Sequence, residues 1–187
     1  PEANELYGET IAIHKNIAVV SAKNYGGAGT DRGRAYVYTY EHTDINDNHS
    51  QYPICGKWKF KRTLEGTGAD NNLFGSSIAM NNDFTIIGAP GFNPGSFSNS
   101  GNVTIFGDSA IAIGTLTGSS VVNGKFGTSL DMNENTLVVG SPGVGRIYLF
   151  HYNVLSVNWD AGQIISISDY VTTENFGNSV KLYNNYI

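Results

Sequence analysis

The residues best suited to chemistry in this chain lie in one polar stretch. Asp44, Asn46 and Asn48 place side-chain oxygens on alternate positions, with Asp47 between them, and oxygens in that pattern are what a calcium-wrapping loop offers. The stretch lacks both the glycine and the distal glutamate of an EF-hand loop, so it reads instead as the tip of an insertion. His14, His42, His49 and His151 share no spacing that suggests a common metal; His42 and His49 stand seven apart without cysteine support and read as surface or turn residues. Cys55 is the only cysteine, which excludes an intrachain disulfide or a thiolate metal cluster. There is no GxSxG elbow, no HExxH and no P-loop, and Gly143-Val144-Gly145 leads into a strand pattern rather than a helix. No catalytic or cofactor-binding residue is therefore assigned, and the chain is expected not to be an enzyme. Two sequons, Asn48-His49-Ser50 and Asn102-Val103-Thr104, are glycosylation acceptors if the chain enters a secretory pathway.

What organises the chain is a repeat. Tyr7-Gly8 returns as Phe74-Gly75, Phe126-Gly127 and Phe176-Gly177, at spacings of 67, 52 and 50 residues. A period of that length marks a propeller or another stacked array. With 40% apolar residues the chain is globular, and its 14% charged residues leave the polarity to Gly, Ser, Thr and Asn, which favour turns and sheets. Sixteen acidic against 11 basic residues with no basic block make a nucleic-acid partner unexpected. No run approaches the roughly 18 apolar residues of a membrane span. The start, Pro1-Glu2-Ala3-Asn4, suggests a chain processed or cut from something longer.

Period-two runs of five to eight residues recur throughout without a sustained helical period, so the expected fold class is all-β. In each unit the aromatic-glycine pair is expected to open a first strand with a bulky and a small face. Phe74, Ser76, Ile78 and Met80 alternate with Gly75, Ser77 and Ala79, and Phe126 to Met132 follow suit. Second strands, Ile17 to Val20, Phe84 to Ile87 and Leu137 to Val139, are continuous apolar runs and should be central. Two of them leave through Gly88-Ala89-Pro90 and Gly140-Ser141-Pro142, where proline halts the ladder. Third strands run from Gly33, Gly101 and Gly145. Outermost strands are expected over Trp58 to Leu64, Ala110 to Leu116 and Gln163 to Ser168, with the lysines of the first reading as edge protection rather than a ligand patch.

In this order of FG, GAP and aromatic third strand, clearest from Phe74 through Ala89-Pro90 to Phe106, the chain resembles the FG-GAP repeat family, the blades of the integrin α-type propeller. The resemblance implies a partial β-propeller of about three four-stranded antiparallel blades plus the start of a fourth. Blade 1 would span 1–66 with an insertion at 41–57, blade 2 67–118, blade 3 119–168, and 169–187 would begin a truncated blade 4. Such a segment is either part of a longer protein, the favoured reading, or completed by further copies.

Some blades of this family bind calcium through DxDxDG between first and second strands, but His14-Lys15-Asn16, Asn81-Asn82-Asp83, Asn133-Glu134-Asn135 and Asn184-Asn185 offer at most one carboxylate each. No cofactor is expected, calcium included. The family likeness suggests a non-catalytic protein-binding or structural module in adhesion or particle architecture, extracellular or surface-exposed. A carbohydrate-binding, lectin-like propeller is the alternative, and a propeller appended to a hydrolase a third. Tyr36, Tyr38, Tyr40 and their counterparts Tyr148, Phe150, Tyr152 could stack sugars, though packing between blades is favoured. Partner contacts are expected on the loops after the second strands, at Lys23, Asn24, Tyr25, Asp31 and Arg32 and at Phe92, Asn93 and Phe97.

Overall fold

A computed structural model of the chain describes residues 5–27, 29–42, 56–67, 70–167 and 175–183. They form an all-β structure of three antiparallel sheets, and the only helical element among them is a 3-10 turn at Pro142–Val144. No helix among them is long and apolar enough to cross a membrane. The first sheet runs β1 (Tyr7–His14), β2 (Ile17–Ala22), β3 (Arg34–His42) and β4 (Gly56–Glu65) in spatial order. The second repeats that order with β5 (Ser77–Met80), β6 (Thr85–Ala89), β7 (Asn102–Phe106) and β8 (Ala112–Leu116). In the third, β9 (Ser129–Met132), β10 (Thr136–Ser141) and β11 (Arg146–Asn153) are followed by two short strands, β12 (Asn158–Trp159) and β13 (Gln163–Ser166), both paired to β11.

Strand formation follows the sequence closely. The apolar runs of β2, β6 and β10 lie inside their sheets, β6 is buried throughout, and the ladders stop ahead of Pro90 and Pro142, which have no N–H to give. One expectation needs correction. Phe74-Gly75 and Phe126-Gly127 do not open strands: they lie in turns that precede β5 and β9, which begin at Ser77 and Ser129. The outermost strand of the third sheet pairs with β11 over Gln163–Ser166, as expected, and a further short strand, Asn158–Trp159, precedes it. The two are separated because the Asp160 carboxylate accepts the His151 and Gly162 N–H groups, 3.0 Å each, displacing residues 160–162 from the ladder. The register also shifts between Val37 and Tyr38 in the first sheet and between Ile105 and Phe106 in the second. All three irregularities occur at the same point of the repeat, where a bulge adds local twist to the outer strand.

Strands β5 to β7 of the second sheet are buried on both faces, while β8 is largely exposed. Ile78, Ile87 and Ala89 pack with Val19, Val37 and Leu64 of the first sheet; Ala79, Ile86 and Ile105 pack with Val139, Tyr148 and Phe150 of the third. Phe74 fills the first gap edge-on to Phe106, and Phe126 fills the second against Tyr148 and Phe150. The closest approach between sheets is made by β5, which contacts β1 on one side and β9 on the other.

That approach depends on the glycine of each aromatic-glycine pair. Its φ is +91° at Gly8, +98° at Gly75 and +86° at Gly127 and Gly177, values that suit glycine in the third position of a turn. The Gly127 carbonyl accepts the Ser77 hydroxyl at 2.7 Å, and the Gly177 carbonyl that of Ser129 at 2.9 Å, so each first strand holds the turn of the following repeat. A Cβ added to Gly88 would lie 2.1 Å from the Gly127 oxygen, and one added to Gly140 would lie 1.9 Å from that of Gly177. Neither backbone could remain where it is. Gly88→Ala is expected to destabilise the chain by about 3 kcal/mol in urea unfolding, whereas Gly107→Ala, with nothing nearer than an Ile113 methyl at 3.8 Å, should stay within about 0.5 kcal/mol of wild type.

Candidate functional site

The loops after β2 and β6 carry the residues expected to meet a partner, and much of their bonding capacity is spent on joining sheets. The Asp31 carbonyl accepts the Leu73 N–H and the Arg32 carbonyl that of Phe74, while Asn99 and Ser100 do the same for Lys125 and Phe126. Tyr25 and Phe92 occupy equivalent turns, each accepting the N–H of the glycine that leads into the third strand. The Asn24 N–H donates to Glu5, and Lys23 is ion-paired with Glu9. Arg32 reaches Asp70 at 2.8 Å; this bond and the Thr30 N–H hold the Asp70 carboxyl below its usual range. Asn93 is exposed and accepts the Asn99 N–H through its side chain. Phe97, 41% exposed, is the large apolar group these loops present to solvent.

A cavity of about 200 Å3 opens beside the first loop, lined by Tyr25, Arg32, Gly33, Arg34, Glu65 and Gly66. Arg34 stacks its guanidinium 3.7 Å above the Tyr25 ring and pairs with Glu65. Burial works against its charge, but the Glu65 hydrogen bond and charge outweigh it and raise the Arg34 pKa. Both charges are thus already matched inside the cavity.

At the opposite end of the sheets lie the tight turns between first and second strands. The Asn81 side chain accepts the Asp83 and Phe84 N–H groups, and Asn133 accepts that of Thr136, so the asparagines close their own turns. His14 meets Asn82 at 3.0 Å and the Asn81 amide donates to the Glu134 carbonyl at 2.7 Å, linking one turn to the next across the sheets. Among the described residues, no three His, Cys, Asp or Glu side chains form a group able to hold a metal ion. Asp44, Asp47, Asn48, His49, Cys55 and Asn184-Asn185 lie outside the described residues. Asn102 opens β7 at 3% exposure, so its side chain is not presented to solvent in the folded chain.

Two aromatic surfaces remain. Between the second and third sheets a cleft of about 380 Å3 is lined by Phe84, Ile105, Leu116, Tyr152, Asn158 and Trp159, among others. Phe84, Tyr152 and Trp159 form a triangle there, with ring centroids 4.7 to 5.6 Å apart. The matching seam between the first and second sheets is bridged instead by Lys61 and Arg62 to Asp108, whose carboxyl Lys61 holds below its usual range. The other surface is the outer face of the first sheet. Tyr36, Tyr38 and Tyr40 stand on it beside Phe60 and Trp58, with Tyr7 edge-on to Tyr36 at 5.4 Å. The two tyrosine-rich third strands thus diverge: Tyr148 and Phe150 are packed between sheets, while Tyr36 to Tyr40 line an open face. Sequence reasoning named those tyrosines but missed the cleft and the exposed Ile11, Ile13, Trp58 and Phe60 around them. Alternation in β1 and β4 was the available signal.

Compared with protein-family models and with curated protein sequences, the chain matches none.

On the open face the Tyr7 and Tyr38 hydroxyls meet at 2.8 Å. Partial burial, and then the Tyr38 hydrogen bond, push the Tyr7 pKa from 10.0 up to about 12. A folded-state value above the unfolded one means that the stabilisation is complete below pH 10 and is lost as the pH rises to about 12. Tyr7→Phe should therefore flatten the loss of stability between those values and remove a late-ionising tyrosine from the ultraviolet titration; a difference spectrum with a midpoint at 10 would contradict the assignment.

Proposed function

We propose that the chain is a segment of a β-propeller of FG-GAP-like blades that works as a non-catalytic protein-binding or structural module of a surface-exposed or extracellular protein or assembly. The observation that carries this reading is the recurrence of one inter-sheet joint. The residue before each aromatic-glycine pair, Leu6, Leu73, Lys125 or Asn175, has a φ between 51° and 56°, and its carbonyl closes a turn on the N–H three residues on. The fourth copy has this geometry as well. Inner strands that approach most closely are what a radial arrangement of sheets requires. A role in binding fits a loop between β6 and β7 that presents Phe97 outward.

Carbohydrate binding is the second reading, and the cleft at Phe84, Tyr152 and Trp159 favours it: aromatic faces beside the uncharged Asn158 and Thr115 suit a neutral ring. A glycan array separates the two. The main reading expects no glycan signal that Trp159→Ala or Tyr152→Ala abolishes; saturable binding lost in both variants would replace it with the lectin reading. The radial arrangement has its own test in a crystal structure of the chain, where the sheet planes should fan from β1, β5 and β9 by a constant angle. Even spacing from inner to outer strands would overturn it.

A further inference from the structure

The seams on the two sides of the middle sheet are built on one plan and finished differently. The outer-strand register shifts between Val37 and Tyr38 in the first sheet and between Ile105 and Phe106 in the second, which makes these pairs equivalent. Val37 pairs with Arg62, leaving Lys61 at the bulge; Ile105 pairs with Gly114, leaving Ile113 at the bulge. Gly88 pairs with Val103 and Gly140 with Ile147, so Asp108 of the second repeat is matched by Tyr152 of the third. Lys61 and Arg62 reach Asp108 at 3.0 and 3.5 Å and bridge the first seam. The second seam has Ile113, Gly114 and Tyr152 at those stations, and the apolar cleft lies there. The backbone does not demand this glycine: Gly114 has no positive φ, and a Cβ on it would meet nothing nearer than the Ile105 Cδ1 at 3.9 Å.

Two features of the cleft define what it receives. It is uncharged: the chain carries no charged residue from Ser109 to Gly124 or from Tyr152 to Trp159, the stretches that supply most of the lining. A charged group entering it would lose water without gaining a partner. It is also bordered by a strand edge. Strand β8 is the last of its sheet and, among the described residues, pairs with β7 alone. Four of its five residues, 113–116, line the cleft. The outer strand of the first sheet carries Lys57, Lys59, Lys61 and Arg62, charges that discourage a further strand. Strand β8 carries no charge and no proline, and its Ile113 is 60% exposed. The outward N–H and C=O groups of such an edge are a template for another extended backbone.

We propose that β8 is the docking edge for a protein partner, an extended uncharged segment that pairs with it as a fifth strand and sets an apolar side chain into the cleft against Gly114, Tyr152 and Trp159. Main-chain bonds to β8 supply affinity, and the cleft selects the side chain. The proposal rests on the protein-binding reading and names the chemistry of the partner.

Selection of a random linear-peptide phage library on the 187-residue chain tests it, with an enriched peptide then synthesised and its affinity measured by calorimetry. Enriched sequences should be uncharged, with apolar residues at alternate positions. Gly114→Arg, which installs the residue type of the first seam, should weaken binding at least about tenfold. Its melting temperature should match wild type, because the added Cβ has room. Methylating the peptide nitrogens that face β8 should also cost at least about tenfold, and methylating the alternate set, which faces away, should cost little. Failure to enrich any peptide on wild type above Gly114→Arg, or equal tolerance of methylation at either set, would overturn the proposal. So would an enriched peptide lost on Phe97→Ala and indifferent to Gly114→Arg, a result that leaves the protein-binding reading standing. Glycan binding lost in Trp159→Ala would overturn both the proposal and that reading.

Discussion

The rest of the structure depends on backbone meeting backbone between successive sheets. Where Gly88 faces the Gly127 carbonyl and Gly140 that of Gly177, no side chain fits, and the hydroxyl of Ser77 or Ser129 closes the contact from the first strand. Two sheets joined at this contact must fill the rest of the space between them. Phe74 with Phe106, and Phe126 with Tyr148 and Phe150, supply that volume. Small residues at the inner strands and aromatics behind them are thus two consequences of one constraint.

This constraint also explains where function can and cannot be carried. In the loops after the second strands the Asp31 and Arg32 carbonyls are spent on the turn of the next repeat and those of Tyr25 and Phe92 on closing their own loops, so these residues are structural members before they are contacts. Asparagine turns at the other end are tied into a chain through His14, Asn82, Asn81 and Glu134. The surfaces left over are those the joint does not consume: the cleft around Trp159, Phe97, and the unpaired face of the first sheet.

Much of this was legible in the sequence, and what was not has physical reasons. Continuous apolar runs identify β2, β6 and β10 because strands covered on both faces need no polar side. Phe74 and Phe126 were read on the correct side of their sheets but as strand residues; they belong to turns closed by the Leu73 and Lys125 carbonyls on the Ser76 and Thr128 N–H groups. The left-handed conformations of Leu6, Leu73 and Lys125 leave no local trace, since of the four equivalents only Asn175 is a residue type that favours them. They are held by inter-sheet bonds such as Leu73 N–H to Asp31. The split after β12 depends on Asp160 reaching back to His151, and the divergent fates of the β3 and β11 tyrosines on which sheet comes first in the stack. Local pattern encodes neither.

The claim that these joints hold the chain together is tested most directly by native-state hydrogen exchange at the amides that cross from sheet to sheet. Leu73, Phe74, Lys125 and Phe126 donate to carbonyls of the preceding repeat. They should exchange only through global unfolding, as slowly as the central amides of β6 and β10 and with the same dependence on denaturant. Exchange by local opening at these four positions, while β6 and β10 stay protected, would show that the sheets are stable separately and would contradict the account.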